Sequence, residues 1–382
     1  MSRLNQLIQE LCPDGVEYRR LKDVCTFKRG TSITKKDIVE GDIPVIAGGQ
    51  EPAYYHNQAN RTGETVVISS SGAAGFVSYW EQPIFVSDAF SVEPNGKILT
   101  KYLYYFLKSK QDKIYSLQKA GGVPHVYSTD IAPLKIPLPP LPVQQEIVRI
   151  LDTFTELIKE LNAELDARRK QYEYYRNLLL TFDDARKKRL NIKWMRLGEI
   201  GRISMCKRIM KVQTTPEGEV PFYKIGTFGG IPDAYISKEL YEEYKSKYPF
   251  PKKGDVLISA SGTIGRTVIY DGKPAYFQDS NIIWVDNDEK IVLNKYLYYY
   301  YQLQPWKVST GGVIKRLYNY NLEQTVIAVP PLEEQQRIVN ILDRFDTLIN
   351  DPITGIPAEI EAREKQFKYY LNKLLDFKEV CS

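Results

Sequence analysis

One segment of the chain is written twice. "PPLPVQQEIVRILDTFTELI" occupies residues 139–158 and "PPLEEQQRIVNILDRFDTLI" occupies 330–349, with thirteen of the twenty positions identical at a constant offset of 191. Other landmarks repeat in the same order. "ETVVISSSGAAGFVSY" (64–79) answers "GDVLISASGTIGRTVIY" (254–270), and "TKYLYYFL" (100–107) answers "NKYLYYYY" (294–301). Gly121-Gly122-Val123 answers Gly311-Gly312-Val313, and "AELDARRKQYEYYRNLLL" (163–180) answers "AEIEAREKQFKYYLNKLL" (358–375), the latter after four extra residues. One unit of about 190 residues is used twice, a period too long for a solenoid. Any fold must therefore hold two copies of one scaffold. The copies diverge most over 24–61 and 200–253, while the end of each unit is nearly constant. The pattern is that of two like scaffolds presenting different surfaces.

The constant blocks have helical periodicity. Val143, Ile147, Ile150, Phe154, Leu157 and Leu161 alternate spacings of four and three, the a/d seam of a coiled coil. Leu165, Arg168, Tyr172, Tyr175 and Leu179 resume it after one extra step of four, a stutter that locally unwinds such a seam. The second copy repeats it with Ile338, Ile341, Phe345 and Leu348, then Ile360, Phe367, Tyr370 and Leu374. Between these two runs lies "NDPITGIP" (350–357). Pro352, Gly355 and Pro357 interrupt the helix there, and Pro357 suits the opening of the next one. An unbroken first helix over 144–182 would be about 58 Å long. A seam can pack on its own domain alone, but two matching seams of this length favour mutual, antiparallel pairing. The expected fold is α+β, with two α/β domains (1–138 and 186–329) and two long antiparallel helical regions (139–185 and 330–382). The duplication gives this arrangement internal pseudo-two-fold symmetry.

Composition excludes several classes. Cys12, Cys25, Cys206 and Cys381 are scattered, and His56 and His125 are the only histidines, so neither a metal-ligand spacing nor a disulfide framework is present. No run approaches the roughly 20 apolar residues of a membrane helix, and "MSRLNQLIQE" lacks a signal-peptide pattern. A soluble, cytoplasmic protein with no membrane partner is expected. Lys and Arg total 52 against 47 Asp and Glu, a formal +5, which permits a polyanionic partner without demanding one.

Residues 18–137 and 194–329 are rich in short β-branched and aromatic runs punctuated by Gly and Pro, which predicts mainly β or α+β domains. The "KYLYY" segments have helical spacing and should dock on the sheets, with their tyrosines in the core. "SSSGAAG" (69–75) and "SASGTIG" (259–265) predict tight turns between strands, where glycine permits the backbone. The same small residues, Ser69, Ser71 and Gly72 in one loop and Ser261, Gly262 and Thr263 in the other, would let a backbone approach a phosphate, with Arg266 beside the second. Neither loop is a P-loop, since no Gly-Lys-Ser/Thr follows. Basic clusters (Lys28, Arg29, Lys35, Lys36; Lys207, Arg208, Lys211; Lys315, Arg316) fit either solvated faces or a nucleic-acid contact. His125 follows the Gly-Gly-Val landmark and joins these DNA-contact candidates. "ARKKRL" (185–190) is expected to be an exposed linker.

The duplicated "PPLxxQQxIVxILDxF" blocks, the helix "ARRKQYEYYRNLLL" and the opening "LCPDGVEYRRLKDVCTFKRG" (11–30) resemble the specificity (S) subunit of type I restriction–modification systems, over essentially the whole chain. The resemblance implies two target recognition domains, each reading one half of a bipartite, asymmetric double-stranded DNA site. It implies helical arms that set the spacing and dock two methyltransferase (M) subunits, to which restriction (R) subunits can add. S-adenosylmethionine would then be bound by the M subunit, ATP and Mg by the R subunit, and no cofactor by this chain. Consistent with a subunit that positions rather than catalyses, no Asn/Asp-Pro-Pro-aromatic tetrad, nucleotide loop or carboxylate cluster is present, so no catalytic or metal-binding residue is expected. A specificity module within a fused or partner-dependent methyltransferase or nuclease, and a coiled-coil adaptor without a DNA role, are the alternatives.

Overall fold

Apolar, β-branched runs bounded by glycine become strands in both halves. "TVVIS" and "VLIS" are buried along their whole length, as expected of central strands covered on both faces. The computed structural model describes residues 3–119, 122–308 and 316–380. It divides into Met1–Ala163 with Ala358–Ser382, and Glu164–Pro357.

In the first unit a four-stranded antiparallel sheet has the order Cys25–Arg29, Ala89–Pro94, Thr65–Ser69, Val77–Trp80. A three-stranded sheet places Ile43–Ile46 between Tyr54–His56, antiparallel, and Phe85–Val86, parallel. Tyr18–Arg20 and Lys135–Pro137 form a short ladder. The second unit repeats all three. Its four-stranded sheet runs Arg202–Ser204, Ile282–Asp286, Val256–Ser259, Thr267–Ile269. Val220–Tyr223 lies between Tyr235–Ile236 and the parallel Tyr276–Phe277, and Lys193–Arg196 pairs with Val326–Val329. The duplication is thus one of topology, down to the sense of each pairing.

Register exposes a difference that letters conceal. Ser69 lies opposite Ala89 and Ser259 opposite Ile282. Lys28, opposite Ser91, is therefore matched by Ser204, opposite Trp284. The second "KR" pair, Lys207-Arg208, lies beyond the end of its strand. The two basic dipeptides do not occupy equivalent positions.

The "KYLYY" helices, Thr100–Ser109 and Asn294–Tyr301, pack on the sheets with Tyr102, Tyr105, Tyr296 and Tyr299 buried. Burial of a phenol demands a partner for its hydroxyl. Tyr102 and Tyr296 donate to the Pro137 and Ala328 carbonyls at 3.2 and 2.9 Å. Tyr105 donates to Asp152 at 2.5 Å and Tyr299 to Asp343. Lys101 and Lys295 pair with the same two carboxylates at 3.1 and 3.2 Å. The repeated letters mark the tie between each small helix and its arm.

The first arm is one helix, Leu141–Leu180, of 40 residues, about 60 Å long. It begins three residues ahead of Gln144 because Pro142 is tolerated in a first turn, whose amides have no helical partner. Gln144 is fully buried and stitches the helix start to its domain. Its Oε1 accepts from Leu99 N at 3.0 Å, and its Nε2 donates to the Lys97 and Pro139 carbonyls at 2.9 and 2.8 Å. Gln335 does the same for Leu293 N, Ile291 O and Pro330 O at 2.8, 2.9 and 2.8 Å. The second arm is split into Leu332–Asn350 and Ile356–Leu374, the break falling in "NDPITGIP".

Along the seam, Ile147, Leu165, Tyr172 and Ile338 are buried. Ile150, Phe154, Leu157, Leu179, Ile341, Phe345, Ile360, Phe367 and Leu374 are half-buried. Leu348, Tyr175 and Tyr370 are each 37% exposed. Leu151, Leu342, Ile349, Leu371 and Leu375 are buried although the strict alternation passes over them. Val143, Ile147 and Leu151 form a row with spacing of four that joins the first unit's core, so the apolar stripe is wider than an a/d seam. In the first unit Phe154 stacks on Tyr370 at 5.3 Å. In the second, Phe345 lies against Tyr175 and Tyr172 at 5.7 and 6.4 Å.

"ARKKRL" has no buried residue, as expected, but it is part of a short helix, Asp184–Leu190, rather than an irregular linker. Asp183 caps it by accepting from Arg186 N, and Asn191 ends it in the left-handed region. Arg186 turns back to donate to the Leu178 and Thr181 carbonyls at 2.6 and 2.8 Å. A cation here satisfies the end of the long helix and suits its dipole.

Candidate nucleic-acid interface

Three segments far apart in sequence meet at one turn in each unit. In the first unit that turn is 86–89. The strand Cys25–Arg29 leads into Gly30, whose N–H donates to Ala89 O at 2.9 Å, and Thr31 N donates to Val86 O at 2.9 Å. A Cβ on Gly30 would lie 2.0 Å from Ser87 O, so only glycine allows this approach. The glycine loop arrives from another side, with Ser70 N donating to Asp88 O at 3.2 Å and the Ser71 hydroxyl to the Asp88 carboxylate. Gly72 holds φ +63° within that loop. The segment after the Gly-Gly landmark closes the junction through Val126 N to Ser70 O at 3.0 Å.

The second unit builds the same junction around 278–281. Ala260 N donates to Asn281 O at 2.7 Å, and Leu317 N to Ala260 O at 2.8 Å. Ser261 Oγ donates to Asn281 Oδ1 at 2.8 Å, and Gly262 repeats the left-handed turn at φ +64°. The side chains differ. Arg208 Nε donates to Asp279 Oδ2 at 2.9 Å, and Arg316 Nη2 to Ser280 O at 2.6 Å.

Beside each junction lies a planar group and a tyrosine ring. His125 stacks on Tyr127 with ring centroids 6.0 Å apart, and the Arg316 guanidinium lies 5.9 Å from the Tyr318 ring. Both pairs flank a buried residue, Val126 or Leu317, while the tyrosines are 48% and 53% exposed. Such rings offer flat apolar area with a polar tip.

The candidates read from the sequence are thus partly gathered. Ser71, Gly72 and His125 converge in one unit, and Arg208, Ser261, Gly262 and Arg316 in the other. Thr263 lies in the exposed second loop, its carbonyl accepting from Ser259 Oγ. Arg266 donates to Phe228 O at 2.8 Å. Ser69 is buried, its hydroxyl directed at Gly49 O at 3.3 Å. Lys28 pairs with Glu93 at 2.5 Å, and Lys207 lies 5.0 Å from the Tyr248 ring. Arg29, Lys35, Lys36 and Lys211 are exposed. Lys315, with Gly121 and Gly311-Gly312-Val313, lies outside the described residues. Five residues at the junctions escaped the sequence reading: Asp88, Asp279, Asn281, Tyr127 and Tyr318. A usable signal existed for the tyrosines, which stand at the same offset of 191 as the arm blocks.

Among the described residues, no group of three or more His, Cys, Asp or Glu could hold a metal, and no helix is long and apolar enough to cross a membrane. What the junctions display is a set of hydrogen-bond donors and acceptors beside an aromatic face. Those are the groups that contact phosphates, base edges and base planes.

The family described as "Type I restriction modification DNA specificity domain" matches this chain at residues 13–167 and 191–362. A Haemophilus influenzae protein assigned as a type I restriction enzyme specificity subunit is 45% identical over 377 residues, covering 95% of this chain and 96% of its own. The EcoR124I/EcoR124II specificity subunit of Escherichia coli is 31% identical over 410 aligned positions, covering 99% and 98%. Among solved structures, the type I restriction–modification S subunit from M. genitalium superposes with a TM-score of 0.59 at 18% identity, over 95% of this chain and 97% of that one. That last likeness is one of fold.

Proposed function

This chain belongs to the type I restriction–modification DNA specificity family, and on that premise we propose that it is the non-catalytic subunit that reads DNA for such a complex. Residues 1–138 and 186–329 act as target recognition domains, each reading one half of a bipartite, asymmetric double-stranded site. Regions 139–185 and 330–382 act as spacer arms that set the separation of the half-sites and dock two methyltransferase subunits. Restriction subunits join where the system cleaves. S-adenosylmethionine belongs to the methyltransferase subunit, and ATP and Mg to the restriction subunit; this chain holds none of them.

One observation carries the reading. The same three-segment junction stands on the same topology in both units, with Ser71 bonded to Asp88 in one and Ser261 to Asn281 in the other, yet its side chains differ: the acceptor changes from Asp88 to Asn281, and the second unit adds the pair of Arg208 with Asp279. Backbone geometry that recurs suits contacts common to any duplex, and side chains that change suit base readout. A protein that reads two unlike half-sites needs this combination.

The test is single-molecule sequencing of methylated bases in cells carrying the chain with its methyltransferase subunit. A bipartite motif is expected, and replacing residues 191–329 by those of a relative should change one half only. Failure of the purified complex to bind duplex DNA would leave a helical adaptor as the explanation. Methyl transfer by the chain alone would make it an enzyme and refute the non-catalytic assignment.

A further inference from the structure

The second unit carries a cleft of about 580 Å³ whose walls include Arg208, Lys211, Lys224, Asp279 and Asn281. We propose that Arg208, held in place by Asp279, reads a guanine in the half-site bound by the second recognition domain. This deepens the function proposed above and rests on it.

The geometry favours a base edge over a phosphate. Asp279 takes the Arg208 Nε–H at 2.9 Å. Among the described residues the guanidinium has no other hydrogen-bond partner, so its two terminal amino groups can donate side by side. Arg208 is 67% exposed while Asp279 is 17% exposed, so a sheltered carboxylate aims an accessible fork. Guanine presents a matching pair of acceptors, O6 and N7, in the major groove. An arginine already neutralised by a carboxylate has less attraction for a phosphate but keeps its directional donors. Lys211, exposed on the same cleft wall and without an ion-pair partner among the described residues, supplies a cation for the backbone.

Asp279 is in turn part of the junction. It directly precedes Ser280 and Asn281, which are bonded to Arg316 and to the glycine loop. The carboxylate thus sits on a braced turn. An exposed ion pair contributes little to stability, so its structural weight is small. The first unit is built differently at this point. Its turn has two residues, Ser87 and Asp88, where the second unit has four, 278–281; Asp88 corresponds to Asn281, which likewise accepts a serine hydroxyl, and Asp279 has no counterpart. The guanine reader is therefore peculiar to the second half-site. Asp279 is a positioning residue, acting through Arg208.

The experiment compares methylation motifs in cells carrying the methyltransferase subunit with the full-length chain, as wild type, Arg208→Ala or Asp279→Asn. The wild-type half-site assigned to residues 191–329 should contain a guanine that Arg208→Ala relaxes, with discrimination at that one position falling between about 5- and 150-fold. Asp279→Asn should weaken the same position and no other. Melting of the purified complexes checks that folding is intact. Uniform loss of affinity for every sequence, with a salt slope lower by about one, would make Arg208 a phosphate contact and overturn the proposal. An unchanged motif would make the pair a surface ion pair and overturn it too. Either result leaves the bipartite wild-type motif standing, whereas absence of that motif refutes the specificity-subunit reading itself.

Discussion

Replacing Gln335 by alanine tests how the second arm is anchored. Gln335 is fully buried and makes three hydrogen bonds, accepting from Leu293 N at 2.8 Å and donating to Ile291 O at 2.9 Å and Pro330 O at 2.8 Å. Each such bond contributes about 0.5–1.5 kcal/mol net, for a span of about 1.5–4.5 kcal/mol, and a buried amide left without a partner costs more than a carbonyl with a second lone pair. Water entering the vacated space recovers part of this. The expected loss is about 2–3 kcal/mol. A chain of two units need not unfold in one step, so a local probe reports this clamp better than a single melting temperature. Hydrogen exchange at the Leu293 amide is the direct one. If the clamp governs local opening, exchange there should accelerate by roughly 30- to 150-fold. The internal control is the adjacent Gln336, exposed, whose side chain among the described residues is bonded to Asn340 alone, at 2.8 Å. Its alanine variant should stay within about 0.5 kcal/mol of wild type. Equal behaviour of the two variants would refute the idea that the repeated "QQ" is a domain-to-arm clamp with one working member.

Further outcomes test other parts of the fold. Tyr299→Phe removes the bond to Asp343 but leaves Lys295 paired with that carboxylate at 3.2 Å, so urea unfolding should show a loss of about 1–2 kcal/mol. Gly72→Ala and Gly262→Ala both force alanine into the left-handed region, at about 1–2 kcal/mol. The first also drives a Cβ to 2.8 Å from Gly48 O, whereas the second meets only Ile225 Cγ1 at 3.5 Å, so the first should be the more destabilised in thermal unfolding. Burial pushes the Cys25 and Cys206 thiols up to about 12; both should resist alkylation in the native protein and react in denaturant. Burial likewise raises the Tyr102 and Tyr276 hydroxyls. Above the ordinary tyrosine value of about 10 the unfolded chain has lost protons that the fold retains, so stability must fall as pH rises. An ultraviolet titration showing these phenols ionising at the ordinary value without unfolding would contradict that burial.

The arms were legible because a helix writes its environment in its period, and the duplication checks one copy against the other. Even so, the strict alternation passed over Leu151 and Leu342 and included Leu348, which is 37% exposed beside the buried Ile349. A helix that packs on its own domain as well as on a second helix buries a stripe wider than two positions in seven. The junctions were harder to read, for a topological reason. Asp279 meets Arg208 across 71 residues, and Asp88 meets Ser71 across 17. Nothing local in either segment announces its partner, and the variable regions offer no second copy to align. Counting lysines and arginines therefore weighted Lys28, which the fold binds to Glu93, as heavily as Arg208, which the fold aims outward from a carboxylate. What separates the two is the acid each one meets and where that acid stands. In a recognition domain the informative residue can thus be the aspartate behind the arginine, because a fork read by a base must be held still before it can discriminate.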